Sequence, residues 1–327
     1  MIKIGFKYVA DSNQTCFQFE SGTYAVASGA RQWCGLVQDN APTEDVGVTP
    51  IRYQGAYSRG VSVFTNGPLK LGGTLNYYPQ DWKLLGFAVG SVCVQSLAGS
   101  KMIRESNSTD ANYSIPSQSL ASFTLEDSKK TANLGSNFIR TYNGCMVDTF
   151  KLTMAEGEIA NVELGYVAQN VTYSSGTVTS VTARTTVPYI WSDIAIHLPS
   201  GTKLPNCTEF SLNINNNLES RFPLNGSRTI ETAIPLNRDY EVTATFLMDT
   251  LNAGSLYNNY FINGNQFNAM AEIKATAGSA YIVMSGCKIT AMDVPSPVEG
   301  LHEQTATITP TNISVDVFDA IGSYNGW

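Results

Sequence analysis

The chain has 327 residues, 43 % of them hydrophobic and only 14 % charged, with Ser, Thr, Asn and Gly standing where charges are usual. That apolar content excludes a disordered chain, and the length allows two domains or one large one. A net charge of −7, a pI near 4.9 and the lack of any basic stripe exclude tight binding to phosphates.

The N-terminal run MIKIGFKYVADSNQTC has no apolar core of a secretory signal. The longest apolar stretch, Leu84 to Val94, is too short to span a membrane, so no membrane partner is expected. A strand over Lys70 to Tyr77 precedes a helix over Gln80 to Val89, where Trp82, Leu84, Leu85, Ala88 and Val89 share a face after Pro79. Strands follow at Ser122 to Glu126 and from Arg140 through Asn143-Gly-Cys-Met-Val to Asp148. A hairpin, Lys151 to Met154 and Ala160 to Val167, turns at Glu156-Gly157-Glu158 and ends near Gln169. The stretch Val171 to Pro205 reads as a connector. It carries a Ser/Thr-rich hairpin at Tyr173-Ser-Ser-Gly-Thr and a strand over Val178 to Val187.

Alternation resumes at Glu209 to Ile214 and at Asp239 to Met248. A second helix is expected over Leu251 to Ile262, N-capped by Asp249 or Thr250, with Leu256/Tyr260 and Tyr257/Phe261 paired at i, i+4. Strands over Ala271 to Ala275 and over Tyr281 to Thr290 come next, and a hairpin closes near Asp319. The fold class is therefore mainly β, a sandwich or barrel with flanking helix. Strand, helix, strand, Gly-Cys strand and hairpin recur in the same order, with Gly144-Cys145-x-Val147 matched by Gly286-Cys287-x-Ile289. This predicts a duplicated chain: a first β domain over 1–169, a linker or arm over 170–205, and a second β domain over 206–327.

No residue constellation points to chemistry. The two histidines, His197 and His302, share no ligand spacing, and no nucleophile elbow, phosphate loop or zinc motif occurs. No catalytic, cofactor-binding or metal site is assigned. Asp39, Glu44 and Asp45, and Glu156 with Glu158, read as solvated acids rather than a glycosidase pair. The run Tyr257-Asn-Asn-Tyr-Phe reads as a core face. The cysteines, Cys16, Cys34, Cys93, Cys145, Cys207 and Cys287, are compatible with buried thiols or with disulfides of unspecified pairing. The sequons at Asn13, Asn107, Asn112, Asn170, Asn206, Asn225 and Asn312 are expected by chance in so Asn- and Thr-rich a chain.

Several pieces in this order resemble the tail tube proteins of tailed bacteriophages and tailed archaeal viruses. They are Glu20-Ser-Gly-Thr-Tyr, Leu84-Leu-Gly-Phe-Ala-Val-Gly, Leu120-Ala-Ser-Phe-Thr-Leu-Glu, Arg140-Thr-Tyr-Asn-Gly-Cys-Met-Val, Phe210-Ser-Leu-Asn-Ile-Asn-Asn-Asn-Leu-Glu and Pro235-Leu-Asn-Arg-Asp-Tyr-Glu-Val-Thr. The resemblance implies a structural virion protein, not an enzyme, located in the virion tail and assembled in the host cytoplasm. It implies β-sandwiches with one flanking helix, whose sheets join neighbours into a β-barrel ring. Such rings stack into a tube for the viral genome, which passes without specific binding. The expected partners are other copies of the chain and tail proteins such as a tape measure. Two domains per chain imply trimeric, pseudo-hexameric rings; a single tube domain would imply hexameric ones. The inner wall is expected to be acidic or neutral, and either Thr43 to Arg59 or Val171 to Val187 is expected to be an arm between rings. An extracellular β-sandwich adhesin or surface-layer protein is the second reading, and a carbohydrate-active enzyme the third.

Overall fold

The computed structural model describes residues 8–20, 24–53, 60–61, 63–94, 101–105, 120–131, 137–178, 181–199, 201–204, 206–247, 255–275, 278–295 and 302–319. Along the chain run β1 (Tyr8–Phe19), β2 (Gln32–Trp33), β3 (Leu36–Asp45), β4 (Val48–Ile51), β5 (Val63–Asn66) and β6 (Lys70–Tyr78), then α1 (Lys83–Val89). Next come β7 (Gly90–Val94), β8 (Lys101–Glu105), β9 (Phe123–Thr131), β10 (Phe138–Ala155), β11 (Asn161–Ala168) and β12 (Asn170–Ser174). A short 3-10 turn (Trp191–Asp193) leads into β13 (Ile194–His197), β14 (Cys207–Asn215), β15 (Leu218–Ser220), β16 (Ala233–Pro235) and β17 (Asp239–Leu247). A π-helix (Leu256–Ile262) precedes β18 (Phe267–Ala275), β19 (Gly278–Asp293), β20 (Glu303–Thr309) and β21 (Asn312–Asp319).

One large antiparallel sheet runs through the whole chain in the order β3, β6, β11, β10, β14, β17, β20, β19. Its inward positions alternate with polar ones. Leu71, Leu75 and Tyr77 of β6, Phe150, Leu152 and Met154 of β10, and Phe210, Leu212 and Ile214 of β14 are all buried in one core. The long strands β10 and β19 bend out of this sheet, and their first reaches join two outer sheets. One is β2, β1, β9, β10, β12; the other is β13, β18, β19, β21, β8, β7. The core fills the space between the large sheet and these outer ones, as in a β-sandwich.

Six strands of the first half have counterparts in the second, and three register slips recur between them. Between β9 and β10 the register slips between Tyr142↔Leu125 and Cys145↔Phe123; between β18 and β19 it slips between Met284↔Ala269 and Cys287↔Phe267. Gly144 and Gly286 sit in these bulges at φ 65° and 59°, a left-handed conformation that glycine adopts without steric cost. The β10–β11 pair slips at Asp148 and the β19–β20 pair at Thr290. The β3–β6 pair slips at Gln38 and the β14–β17 pair at Thr208. So β3 answers to β14, β6 to β17, β9 to β18, β10 to β19, β11 to β20 and β12 to β21.

Some expectations need correction. The first helix starts at Lys83, not Gln80, because the side chains before it are engaged elsewhere. Gln80 accepts from Trp33 Nε1 at 2.8 Å and donates to the Thr186 carbonyl, while Asp81 pairs with Arg184 at 2.7 Å. The second helix begins at Leu256 and is a π-helix, with Asn263 N donating to Asn258 O at 3.1 Å; residues 251–254, where it was expected to begin, lie outside the described residues. The expected strand at Val178 to Val187 is absent among its described residues. Its Arg184 and Thr186 are instead held under α1, where Trp82 stacks on Tyr189 with ring centroids 5.2 Å apart. The expected linker supplies a strand to each half: β12 pairs with β10, and β13 pairs with β18.

Candidate assembly interface

Three kinds of surface bear on assembly: the two ends of the large sheet, the two arms, and one polar sheet face. At the ends, β3 pairs with β6 alone and the second reach of β19 with β20 alone among the described residues. Such edges present unpaired backbone groups that another strand can take up. The same two edge types already meet once inside the chain. There β10 pairs with β14 from Thr149↔Asn215 to Ala155↔Glu209, joining the first half to the second.

A buried polar lock holds that internal joint. Asn216 donates through Nδ2 to Val147 O at 2.9 Å and Ala88 O at 3.1 Å, and its Oδ1 accepts from Arg238 Nε at 2.6 Å. Arg238 also donates to Val89 O at 2.7 Å. Asp148, the bulge residue, accepts from Leu218 N at 2.8 Å. The carbonyls at the end of α1 thus find donors from the other half.

The arms leave equivalent corners of the sheet. One, β4 with β5, links β3 to β6; the other, β15 with β16, links β14 to β17. The β15–β16 arm is docked. Ile230 and Ala233 are buried and Leu218 and Phe222 partly so, against Leu120, Met146, Tyr24 and Val167 of the first half. The β4–β5 arm is not. Val48, Ile51, Tyr53, Val63 and Phe64 are exposed, Phe64 by 66 %. Its base is pinned by Arg228, which donates to Gly67 O and Val46 O, each at 2.8 Å. The expected segment Thr43 to Arg59 covers β4 but stops short of β5, and its residues 54–59 lie outside the described residues.

The face of the large sheet turned away from the core is rich in Thr, Ser and Asn. Among the described residues its carboxylates, Asp39, Asp45, Glu163, Glu209, Asp239, Glu241, Asp293 and Glu303, outnumber its lysines, Lys70, Lys151 and Lys288, by eight to three. A surface of this sign repels phosphate chains.

The resemblance pieces gather around the first bulge. Glu20 accepts from Ser122 Oγ (2.5 Å), Thr124 Oγ1 (2.6 Å), Gly144 N (2.8 Å) and Ala25 N (2.8 Å), while Tyr24 donates to Gly144 O at 3.0 Å. In the second half Asn268 Oδ1 caps Gly286 N instead, at 3.1 Å. These contacts shape the bend of β10 and β19; they do not form a reactive centre.

The residues weighed for chemistry are scattered. His197, on β13, lies 3.3 Å from Glu272, and His302 is exposed beside β20. Asp39, Glu44 and Asp45 all lie on the edge strand β3, and Glu156 and Glu158 flank the exposed β10–β11 turn. Among the described residues no three His, Cys, Asp or Glu side chains gather to hold a metal, and no helix is long and apolar enough to cross a membrane. Cys16, Cys34, Cys145, Cys207 and Cys287 are free thiols. Cys93 lies on β7, while the sequons at Asn107 and Asn112 are outside the described residues. The run Tyr257 to Phe261 is only partly a core face. Tyr260 and Phe261 pack against the core, but Tyr257 and Ile262 are exposed. Sequence reasoning did not single out the Asn216–Arg238 lock. The one signal for it is three successive asparagines, Asn215 to Asn217, where β14 ends.

No curated protein matches the chain. Among solved structures, the SPP1 tail tube, determined as a hybrid of solid-state NMR and cryo-EM, is similar at 13 % identity and a TM-score of 0.31, over 41 % of this chain and 81 % of that one. The family of phage tail tube proteins matches residues 43–316, both halves of the large sheet included, and the chain belongs to that family.

Proposed function

We propose that three copies of this chain close a ring, that rings stack into a tail tube, and that the viral genome passes through it. The carrying observation is the internal joint. The second reach of β19 answers to β10, and β3 answers to β14, so the joint β10–β14 can be repeated between copies as β19–β3. The two edges differ, so the contact is heterologous and generates a ring when the rotation closes. Six equivalent units, two per chain, then complete a pseudo-sixfold barrel. The first unit ends with β12, the segment after it connects, and β13 begins the second.

Eight strands per chain give twenty-four in the ring. At about 4.8 Å per strand the circumference is about 115 Å and the diameter about 37 Å, before strand tilt widens it. The core, the helices and the outer sheets occupy one side of the large sheet, so the acidic face lines the lumen. Such a wall lets DNA slide without trapping it. The role is structural rather than catalytic, and its partners are other copies and tail proteins such as a tape measure. The protein assembles in the host cytoplasm. The β4–β5 arm, whose first strand lies in the expected segment Thr43 to Arg59, joins one ring to the next; in the alternative segment Val171 to Val187, β12 pairs with β10 and Arg184 pairs with Asp81, which favours the β4–β5 arm.

Native mass spectrometry and electron microscopy of the purified protein test this reading. Rings of three 35.4-kDa chains with a twenty-four-strand wall are expected. Rings of six chains, or a strongly basic lumen, would overturn it.

A further inference from the structure

The two arms are equivalent in topology but not in chemistry. The β15–β16 arm lands on Tyr24, Leu120, Met146 and Val167. At the matching place in the second half, Lys288 and Thr309 stand for Met146 and Val167, and Thr311 packs on the Gly286 bulge where Tyr24 packs on the Gly144 bulge. That surface is polar. The apolar β4–β5 arm therefore has no matching seat within its own ring.

A fitting seat exists at the opposite end of the large sheet. Where β10 ends and β14 begins, a groove of about 810 Å³ opens between the halves, walled by Met154, Trp191, Ile194, Leu204, Phe210 and Leu247. Trp191 stands at its mouth, 51 % exposed. The arm leaves the sheet beside Asp45 and Lys70, next to Ala168 of β11 and so level with the Met146 end of β10's second reach; the groove lies at that reach's far end, beside Ala155. Arm and groove thus lie at opposite ends of the strands, as head-to-tail stacking requires. Exposed apolar patches of this kind mark interaction sites, and aromatic anchors in apolar pockets dominate such contacts.

We propose that the β4–β5 arm of one copy seats Phe64 in the Met154–Trp191–Phe210 groove of a copy in the adjacent ring. This rests on the stacked rings proposed above. With one such arm and one such groove per chain among the described residues, each pair of rings is joined by three apolar contacts. The six equivalent arm positions thereby divide into three that brace a ring from within and three that bind the next ring.

Phe64→Glu and Trp191→Glu, both at exposed positions, test the proposal in the full chain. Each variant is expected to give intact rings of wild-type mass by native mass spectrometry and no tubes by negative-stain microscopy. Phe64→Glu combined with Trp191→Lys is expected to recover tubes in part. In wild-type tubes carrying Val63→Cys, a short bismaleimide is expected to join residue 63 to the half-buried Cys207 of another chain, identified by peptide mass spectrometry. Tubes of normal length from either single variant, or a crosslink from residue 63 to a different cysteine, would overturn the groove assignment. Loss of rings together with tubes would place the contact inside the ring and overturn it too. A wild-type protein that forms no rings would instead count against the ring reading itself.

Discussion

Replacing Asn216 with alanine should loosen the joint between the halves more than any other single truncation of a polar side chain there. Asn216 is 1 % exposed, and its side chain makes three hydrogen bonds, to Ala88 O, Val147 O and Arg238 Nε. The alanine variant takes a donor from two carbonyls in a dry site and removes the oxygen that Arg238 Nε donates to. Each such group costs about 1–3 kcal/mol. Arg238 keeps its bond to Val89 O, so its charge remains partly satisfied. A total of about 3–5 kcal/mol is expected, a large share of the roughly 5–15 kcal/mol of a typical domain. Urea unfolding followed by tryptophan fluorescence reads the loss as a shift in midpoint. A double-mutant cycle with Arg238→Ala should show coupling, because the two residues share one network. A cost below about 1 kcal/mol, the range of an ordinary surface substitution, would refute the idea that this lock holds the joint.

Glu20→Gln should lower stability by about 2–4 kcal/mol in a thermal melt, since its amide faces donors where the carboxylate now accepts four bonds. Gly144→Ala should cost about 1–3 kcal/mol or more by chemical denaturation, because φ is 65° and a Cβ there would lie 2.9 Å from the Tyr24 ring. Burial pushes the Cys16 thiol from 9.0 up to about 12 and the Tyr24 hydroxyl from 10.0 up to about 12. Both are raised on folding, so the stability they confer is complete below pH 9 and is lost as pH rises toward about 12. Urea midpoints should fall over that window, and less steeply in Cys16→Ala. Glu241→Lys with Glu163→Lys should turn part of the proposed lumenal face basic and slow DNA release from assembled particles in an ejection assay, while tubes still form.

Much of the fold was legible because the large sheet alternates strictly. Phe150, Leu152 and Met154, and Phe210, Leu212 and Ile214, show the period of two that a half-buried strand requires. The matched Gly-Cys pairs stand out because each bulge places a glycine at positive φ, and a buried thiol follows it on both β10 and β19. The segment Val178 to Val187 misled for a physical reason. Its β-branched run has strand propensity, but no strand pairs with its described residues, and the Gln80 side chain takes its carbonyls instead. The joint itself was not legible, since Asn216, Arg238 and Ala88 are far apart in the chain and the surrounding Asn run looks like a turn.

The difference between β3 and β14 fits the proposed ring, in which each is covered at a different time. The β14 edge meets β10 within the same chain, so that joint forms as the protein folds, and its inward positions are Phe210, Leu212 and Ile214, all buried. The equivalent inward positions of β3 are Asn40, Pro42 and Glu44. Glu44 accepts from Tyr142 Oη at 2.6 Å, beside the Arg140–Asp127 pair. On the proposed ring, a subunit waiting to enter must keep this edge in water, and an apolar β3 would pair with the wrong strand. Polar side chains and a proline lacking an N–H blunt it. The cost is a weaker joint between copies than within them. Assembly of the proposed ring then depends on closing it whole, where every β3 would gain its partner at once, rather than on any single pair of chains.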